Sequence, residues 1–203
     1  MEQDKIHYRS LVMDVSKIQT RDETDSPRIE GYFSVYNSIY QMAPDMSEEI
    51  APGAFHDSID GDVRALINHN TDLVIGRTTA GTLELRDDER GLWGSILINP
   101  NDSDAMNAYH RVNRRDVSQC SIGFRIIEED TEVRDDDSVH FTIKKAALYE
   151  VSVCTFPAYE ETSVSARSAQ RDDIIRRKRE AWREKMKARL KHGIKSTDAE
   201  KED

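Results

Sequence analysis

Short runs in which apolar and polar residues alternate dominate the first 160 residues. They are 11–16 (LVMDVS), 29–36 (IEGYFSVY), 63–68 (VRALIN), 81–86 (GTLELR), 91–98 (GLWGSILI), 121–127 (SIGFRII), 139–143 (VHFTI) and 148–156 (LYEVSVCTF). Each is rich in Val, Ile, Leu or aromatic residues and is bounded by Gly, Asp, Asn or Pro. A period of two sends alternate side chains to opposite faces, so each run predicts a strand with one face to bury. Roughly eight such strands at this spacing predict a closed β-barrel, in a fold that is mainly β with peripheral helices, of the α+β class.

Two segments break the alternation. Residues 51–59 (APGAFHDSI), with Pro52 near the start, predict a short helix, and 102–116 (DSDAMNAYHRVNRRD) open with capping residues and acidic first-turn charges. The acidic stretch 128–138 (EEDTEVRDDDS) reads as a solvated loop joining two strands. Further on, Ile175, Trp182, Met186 and Leu190 form a thin apolar stripe at helical spacing within residues 169–191. This predicts a long amphipathic helix that packs on its own domain, pairs with a second copy or docks on a partner. The closing stretch KSTDAEKED is expected to be disordered.

Charge divides the chain at the same place. Residues 1–167 carry 17 Lys and Arg against 31 Asp and Glu, and residues 168–203 carry 12 against 8, so an acidic body of net −14 precedes a basic extension of net +4. The division expected is therefore one domain over 1–167 and a charged amphipathic helix with a disordered tail over 168–203. An acidic body argues against nucleic acid as a partner, since a binder must face phosphate with positive charge. With no run of eighteen apolar residues and no signal-like start, the expectation is a cytosolic protein without membrane contact. Cys120 and Cys154 are too few for a disulfide framework, and no His/Cys cluster has metal spacing, so neither metal nor cofactor is expected.

Several residues could carry chemistry. His69 stands in NHN where an apolar strand emerges, flanked by two amides able to fix a ring tautomer. Ser121 lies in SQCSIGFRI two residues before Gly123, which faces the same side of a strand and leaves room for a substrate backbone. Cys120 is a rival nucleophile, but it points to the opposite face, in phase with Ile122 and Phe124. Glu150 is an acid inside an apolar strand, where a buried carboxylate needs a partner such as imidazole; the alternative is a wet face shared with Ser152.

Read in order, EIAPGAFHDSI, VRALINHN, IGRTTAGTLELRDDERGLWGSILI, CSIGFRI and LYEVSVCTFPAYEETSVSAR resemble the phage prohead protease family, the capsid maturation proteases of tailed phages, from about Gly31 to Arg167. The resemblance implies a serine endopeptidase related to the herpesvirus assemblins, with an assemblin-like closed β-barrel ringed by helices. It places the catalytic His at His69 and the catalytic Ser at Ser121. It matches an acid to Glu150 where the herpesvirus enzymes carry a second His, for which His140 is the competing residue here, and Arg167 is a candidate to hold the oxyanion.

The resemblance thus implies a Ser121–His69–Glu150 endopeptidase in the host cytoplasm, enclosed in the procapsid. It would cut capsid and scaffolding proteins and itself through an acyl-enzyme. Its herpesvirus relatives add the expectation of a homodimer. Two other readings stay open on the sequence: a non-enzymatic assembly or scaffolding barrel in which Ser121 only fills space, and a hydrolase using Cys120.

Overall fold

The computed structural model describes residues 6–11, 19–21, 27–156 and 161–198. Eleven strands are described: β1 (His7–Leu11), β2 (Gln19–Arg21), β3 (Arg28–Val35), β4 (Tyr40–Ala43), β5 (Met46–Ile50), β6 (Arg64–Ile67), β7 (Asn70–Arg77), β8 (Leu83–Asp87), β9 (Gly91–Leu97), β10 (Gln119–Val133) and β11 (Val139–Cys154). Two α-helices, α1 (Ser103–Asn113) and α2 (Glu161–Asp198), complete them.

The alternating runs become strands with the expected inner faces. Along β3 the buried positions include Ile29, Gly31 and Phe33, and β9 buries Leu92 and Ile96 against them. Helix α1 starts where Asp102 accepts hydrogen bonds from the backbone N–H groups of Asp104 and Ala105 at 2.9 and 3.2 Å. Its inner face, Ala105, Ala108, Tyr109 and Val112, packs into the main core with Phe33, Phe55, Ile122 and Phe124.

The strands do not close into a barrel. One sheet runs β1-β10-β11-β5-β4 and carries β6 and β7 as a branch from β11; the other runs β2-β3-β9-β8. The branch arises because β11 offers one edge to two strands in succession, pairing in parallel with β5 over Val139–Ile143 and with β6 over Glu150–Val153. Both sheets end in strands with one neighbour each, and no ladder joins β1, β4 or β7 to β2 or β8 among the described residues. Alternation records that each strand has an inner face, which two open sheets packed over one core satisfy as well as a cylinder does.

Three local expectations also change. Residues 52–60 form successive turns instead of a helix, with Gly53 at φ 79° breaking the right-handed path. The acidic stretch is mostly strand: β10 and β11 form one long hairpin that continues to Val133↔Val139 before turning. Register shifts at Gly123/Phe124, Ile126/Glu128 and Glu128/Glu129 bend this hairpin. Helix α2 begins at Glu161, ahead of the expected 169, and reaches Asp198. Of its stripe, Ile175 packs with Met46, Val139 and Phe141 in a second small core, whereas Trp182 is 60% exposed. Residues 12–16 of the first alternating run and the Leu190 side chain lie outside the described residues.

Candidate active site

His69 sits in a two-residue hairpin. Ile67 pairs with Asn70, and the two residues between them, Asn68 and His69, have φ of 52° and 59°. Both central residues of this tight connection are left-handed, a geometry that favours Asn at the first position and Gly at the second. A histidine at the second position is strained by roughly 1–3 kcal/mol, a cost that persists only where surrounding contacts over-determine it. Those contacts are present: the His69 backbone N–H donates to Ser152 Oγ at 3.2 Å, and Asn68 N–H donates to the Val153 carbonyl at 3.0 Å.

The ring is then fixed from β11. His69 Nδ1 lies 2.7 Å from Glu150 Oε1, while the other carboxylate oxygen accepts from Ser152 Oγ at 2.6 Å. An ionised carboxylate can only accept, so this contact favours the neutral tautomer with the proton on Nδ1 and the lone pair on Nε2. Glu150 is 7% exposed, and the imidazole and the Ser152 hydroxyl supply the partners that a buried carboxylate needs. The flanking amides do not set the tautomer: Asn68 Oδ1 accepts from Thr155 N–H, and Asn70 Oδ1 from Asp72 N–H.

Ser121 arrives from the neighbouring strand. It pairs directly with Ser152 in the β10–β11 ladder, and Gly123 pairs with Glu150, so both face the side that carries the carboxylate. The room above Gly123 is filled by this carboxylate and not left for substrate: a Cβ there would stand 2.9 Å from Glu150 Cγ and closer still to Oε1. Ser121 Oγ donates to the Arg9 carbonyl at 3.0 Å, and His69 Nε2 faces Cys154 Sγ at 3.8 Å. Each member of the Ser–His pair is therefore engaged by another group. Glu150 and His69 are joined; Ser121 stands on the neighbouring strand opposite Ser152, its hydroxyl turned to β1.

The family model for the caudovirus prohead serine protease matches residues 14–176. The chain belongs to this family. It is also 28% identical over 162 residues to the prohead protease of Enterobacteria phage HK97, an alignment covering 78% of this chain and 68% of the phage protein. No solved structure matches the chain. The protein is thus a serine protease of the tailed-phage capsid maturation type; neither match extends the kinship to the herpesvirus enzymes.

In this protease the other candidate groups have different places. Cys120 is 1% exposed in the main core, and burial, reinforced by Cys154, raises its thiol far above the ordinary value. Cys154 is pushed up to about 12, first by burial and then by the Glu150 charge, so neither thiol is an activated nucleophile in this form. His140 lies on the part of β11 that pairs with β5 and not with β6, 2.8 Å from Ser47 Oγ and 3.5 Å from Glu49. Arg167 is spent elsewhere. Its guanidinium donates to Glu48 at 2.7 and 3.0 Å, to Glu129 at 2.7 Å and to Gln170 at 2.8 Å, and it lies over the Phe141 ring.

Two contributors escaped sequence reasoning. Ser152, read only as a wet-face residue, bridges the His69 backbone and Glu150 and stands opposite Ser121. Its signal was its phase, two residues after Glu150 on one strand face. Glu48 carried no signal at all, because its partners Arg9 and Arg167 lie 39 and 119 residues away.

Proposed function

We propose that the protease works through Ser121 as nucleophile, His69 as general base and acid, and Glu150 as the group that orients the imidazole and steadies its protonated form. Substrate peptide carbonyls are attacked at carbon by Ser121 Oγ while the hydroxyl proton passes to His69 Nε2. The tetrahedral intermediate collapses with cleavage of the C–N bond, and Nε2 returns that proton to the departing amine. Water then attacks the acyl ester and gives a proton to Nε2; the ester C–O bond breaks, releasing the carboxyl product, and Nε2 returns that proton to Ser121 Oγ.

The observation that carries this reading is the 2.7 Å contact between His69 Nδ1 and Glu150 Oε1, on a strand whose next inward residue, Ser152, pairs with Ser121. It directs the lone pair of the base to Nε2, the nitrogen a nucleophile needs. Residues 1–167 are the protease domain in this reading, and residues 168–203 a charged extension. Substrates are capsid and scaffolding proteins met inside the procapsid, together with the protease itself. Enclosure raises the effective concentration at which they meet.

The test is incubation of purified chains with the cognate capsid protein. Ser121→Ala should abolish fragment formation and leave the circular dichroism spectrum and melting temperature of the parent. Full cleavage by this variant rejects Ser121 as the nucleophile.

A further inference from the structure

We propose that β1 is an internal latch that keeps the protease latent: it occupies the outer edge of β10 at the nucleophile and is anchored there through Arg9 on the buried carboxylate of Glu48. The proposal rests on the Ser121–His69–Glu150 reading. Three observations carry it.

The first is where β1 lies. It ends its sheet and pairs antiparallel with β10 in the register Tyr8↔Gly123, Arg9↔Ile122 and Ser10↔Ser121, covering the strand that holds the nucleophile. An extended peptide reading the same edge would need these backbone groups, so β1 and a substrate strand compete for one set of hydrogen bonds.

The second is what β1 touches. The Arg9 carbonyl takes the Ser121 hydroxyl at 3.0 Å, and the Tyr8 ring meets the His69 ring edge-on with centroids 4.6 Å apart. Ser121 is left with no exposed surface. A scissile carbonyl must come within roughly 3–3.5 Å of the attacking oxygen, and the Arg9 carbonyl fills that space. Moreover, a hydroxyl donating to it is not donating to Nε2. Removing β1 therefore uncovers Ser121, releases its hydroxyl and takes the Tyr8 ring off His69.

The third is how β1 is held. Arg9 forks onto Glu48, with Nε on Oε1 and Nη2 on Oε2 at 3.0 Å, and its guanidinium lies 6.0 Å from the Phe124 ring centre. Glu48 is 1% exposed on β5, and its Oε2 also accepts from Arg167 of α2 at 2.7 and 3.0 Å. One buried carboxylate thus ties the amino-terminal strand to the carboxy-terminal helix. A five-residue strand at a sheet edge belongs to the elements that open at low cost. Its anchor decides how often it opens.

The test uses the full chain carrying Arg9→Gln, which removes the charge and the fork but keeps the strand. Two quantities are measured by mass spectrometry: hydrogen exchange of the amides of residues 7–11, and the rate at which a biotinylated fluorophosphonate bonds to Ser121 with loss of fluoride. Exchange in β1 should accelerate while β11 stays protected. Labelling of Ser121 should rise at least about tenfold, the change that about 1.4 kcal/mol of lost anchoring gives. Equal labelling rates in the two chains despite released β1 amides would overturn the latch, as would rapid labelling of wild type with β1 still protected. Unchanged exchange in the variant would overturn Glu48 as its anchor. Labelling that persists after Ser121→Ala in the Arg9→Gln chain, or none in spite of a freed strand, would instead remove Ser121 from the reading of the active site.

Discussion

Adding one methyl group at Gly123 should disable the protease while leaving it folded. The new Cβ would stand 2.9 Å from Glu150 Cγ and 3.1 Å from Cδ, with Oε1 nearer still. Ordinary carbon contacts lie at about 3.5–4.0 Å, so Glu150 must retreat by roughly 0.5–1 Å. Its 2.7 Å contact with His69 Nδ1 then lengthens to roughly 3.2–3.7 Å, at or past the outer limit of a hydrogen bond. Losing a bond to a charged group is worth about 1.5–3 kcal/mol, which corresponds to a fall in kcat of roughly 10- to 150-fold for Gly123→Ala. The overpacking itself costs about 1–3 kcal/mol, less than the about 5–15 kcal/mol that holds a typical domain folded. The assay pairs kcat on the cognate capsid protein with proton NMR of the strongly hydrogen-bonded Nδ1–H of His69, and with thermal unfolding to confirm the fold. Turnover within threefold of wild type after the Nδ1–H signal has gone would refute the role given to Glu150. A signal that stays in place would refute the steric reasoning.

Arg167→Ala strips Glu48 of two bonds and leaves Glu129 and Gln170 short of a partner; urea unfolding should show a loss of about 3–5 kcal/mol, the usual cost of breaking a buried ion pair from one side. Burial opposes the charge on Glu48, but Arg9 and Arg167 together outweigh it and hold its carboxyl below the ordinary glutamate value of 4.5. A depressed carboxyl contributes stability that is present above 4.5 and is lost as pH falls below it, so urea midpoints should be flat from neutral pH to about 5 and drop beneath. Glu48→Gln should make that acid slope shallower, the remainder coming from other depressed carboxyls such as Asp88 and Asp137. At pH 8 Cys120 and Cys154 should both resist iodoacetamide in the native protease and react on unfolding, as read by intact mass; rapid native labelling of Cys120 would reopen a cysteine mechanism.

Much of this protein was legible along its chain, because burial on one face of a strand and capping at a helix start are local. Alternation marked the inner face of β3, apolar runs located β6, β9 and the first half of β10, which are buried on both faces, and Asp102 announced α1. His69, Ser121 and Glu150 could be put forward as candidates from motifs in the right order, and the fold brings His69 against Glu150. The alternating runs did not announce β1, β2, β4, β5 or β7: β5 is buried but reads MSEEI, β7 is exposed apart from Ile75, Gly76 and the half-buried Leu73, and β10 beyond Ile127 is mostly exposed, held by its ladder with β11 and not by an apolar face. What only the tertiary structure decided is everything that depends on which edges and side chains meet across long separations. The forked pairing of β11 left the sheets open, and Glu150, itself bound by Ser152, determined which nitrogen of His69 faces a carboxylate. Arg9 and Arg167 converge on Glu48 from opposite ends of the chain. A residue's pattern records how much water it tolerates, but hydrogen bonds and ion pairs require particular partners, and packing selects those only when the whole chain has folded.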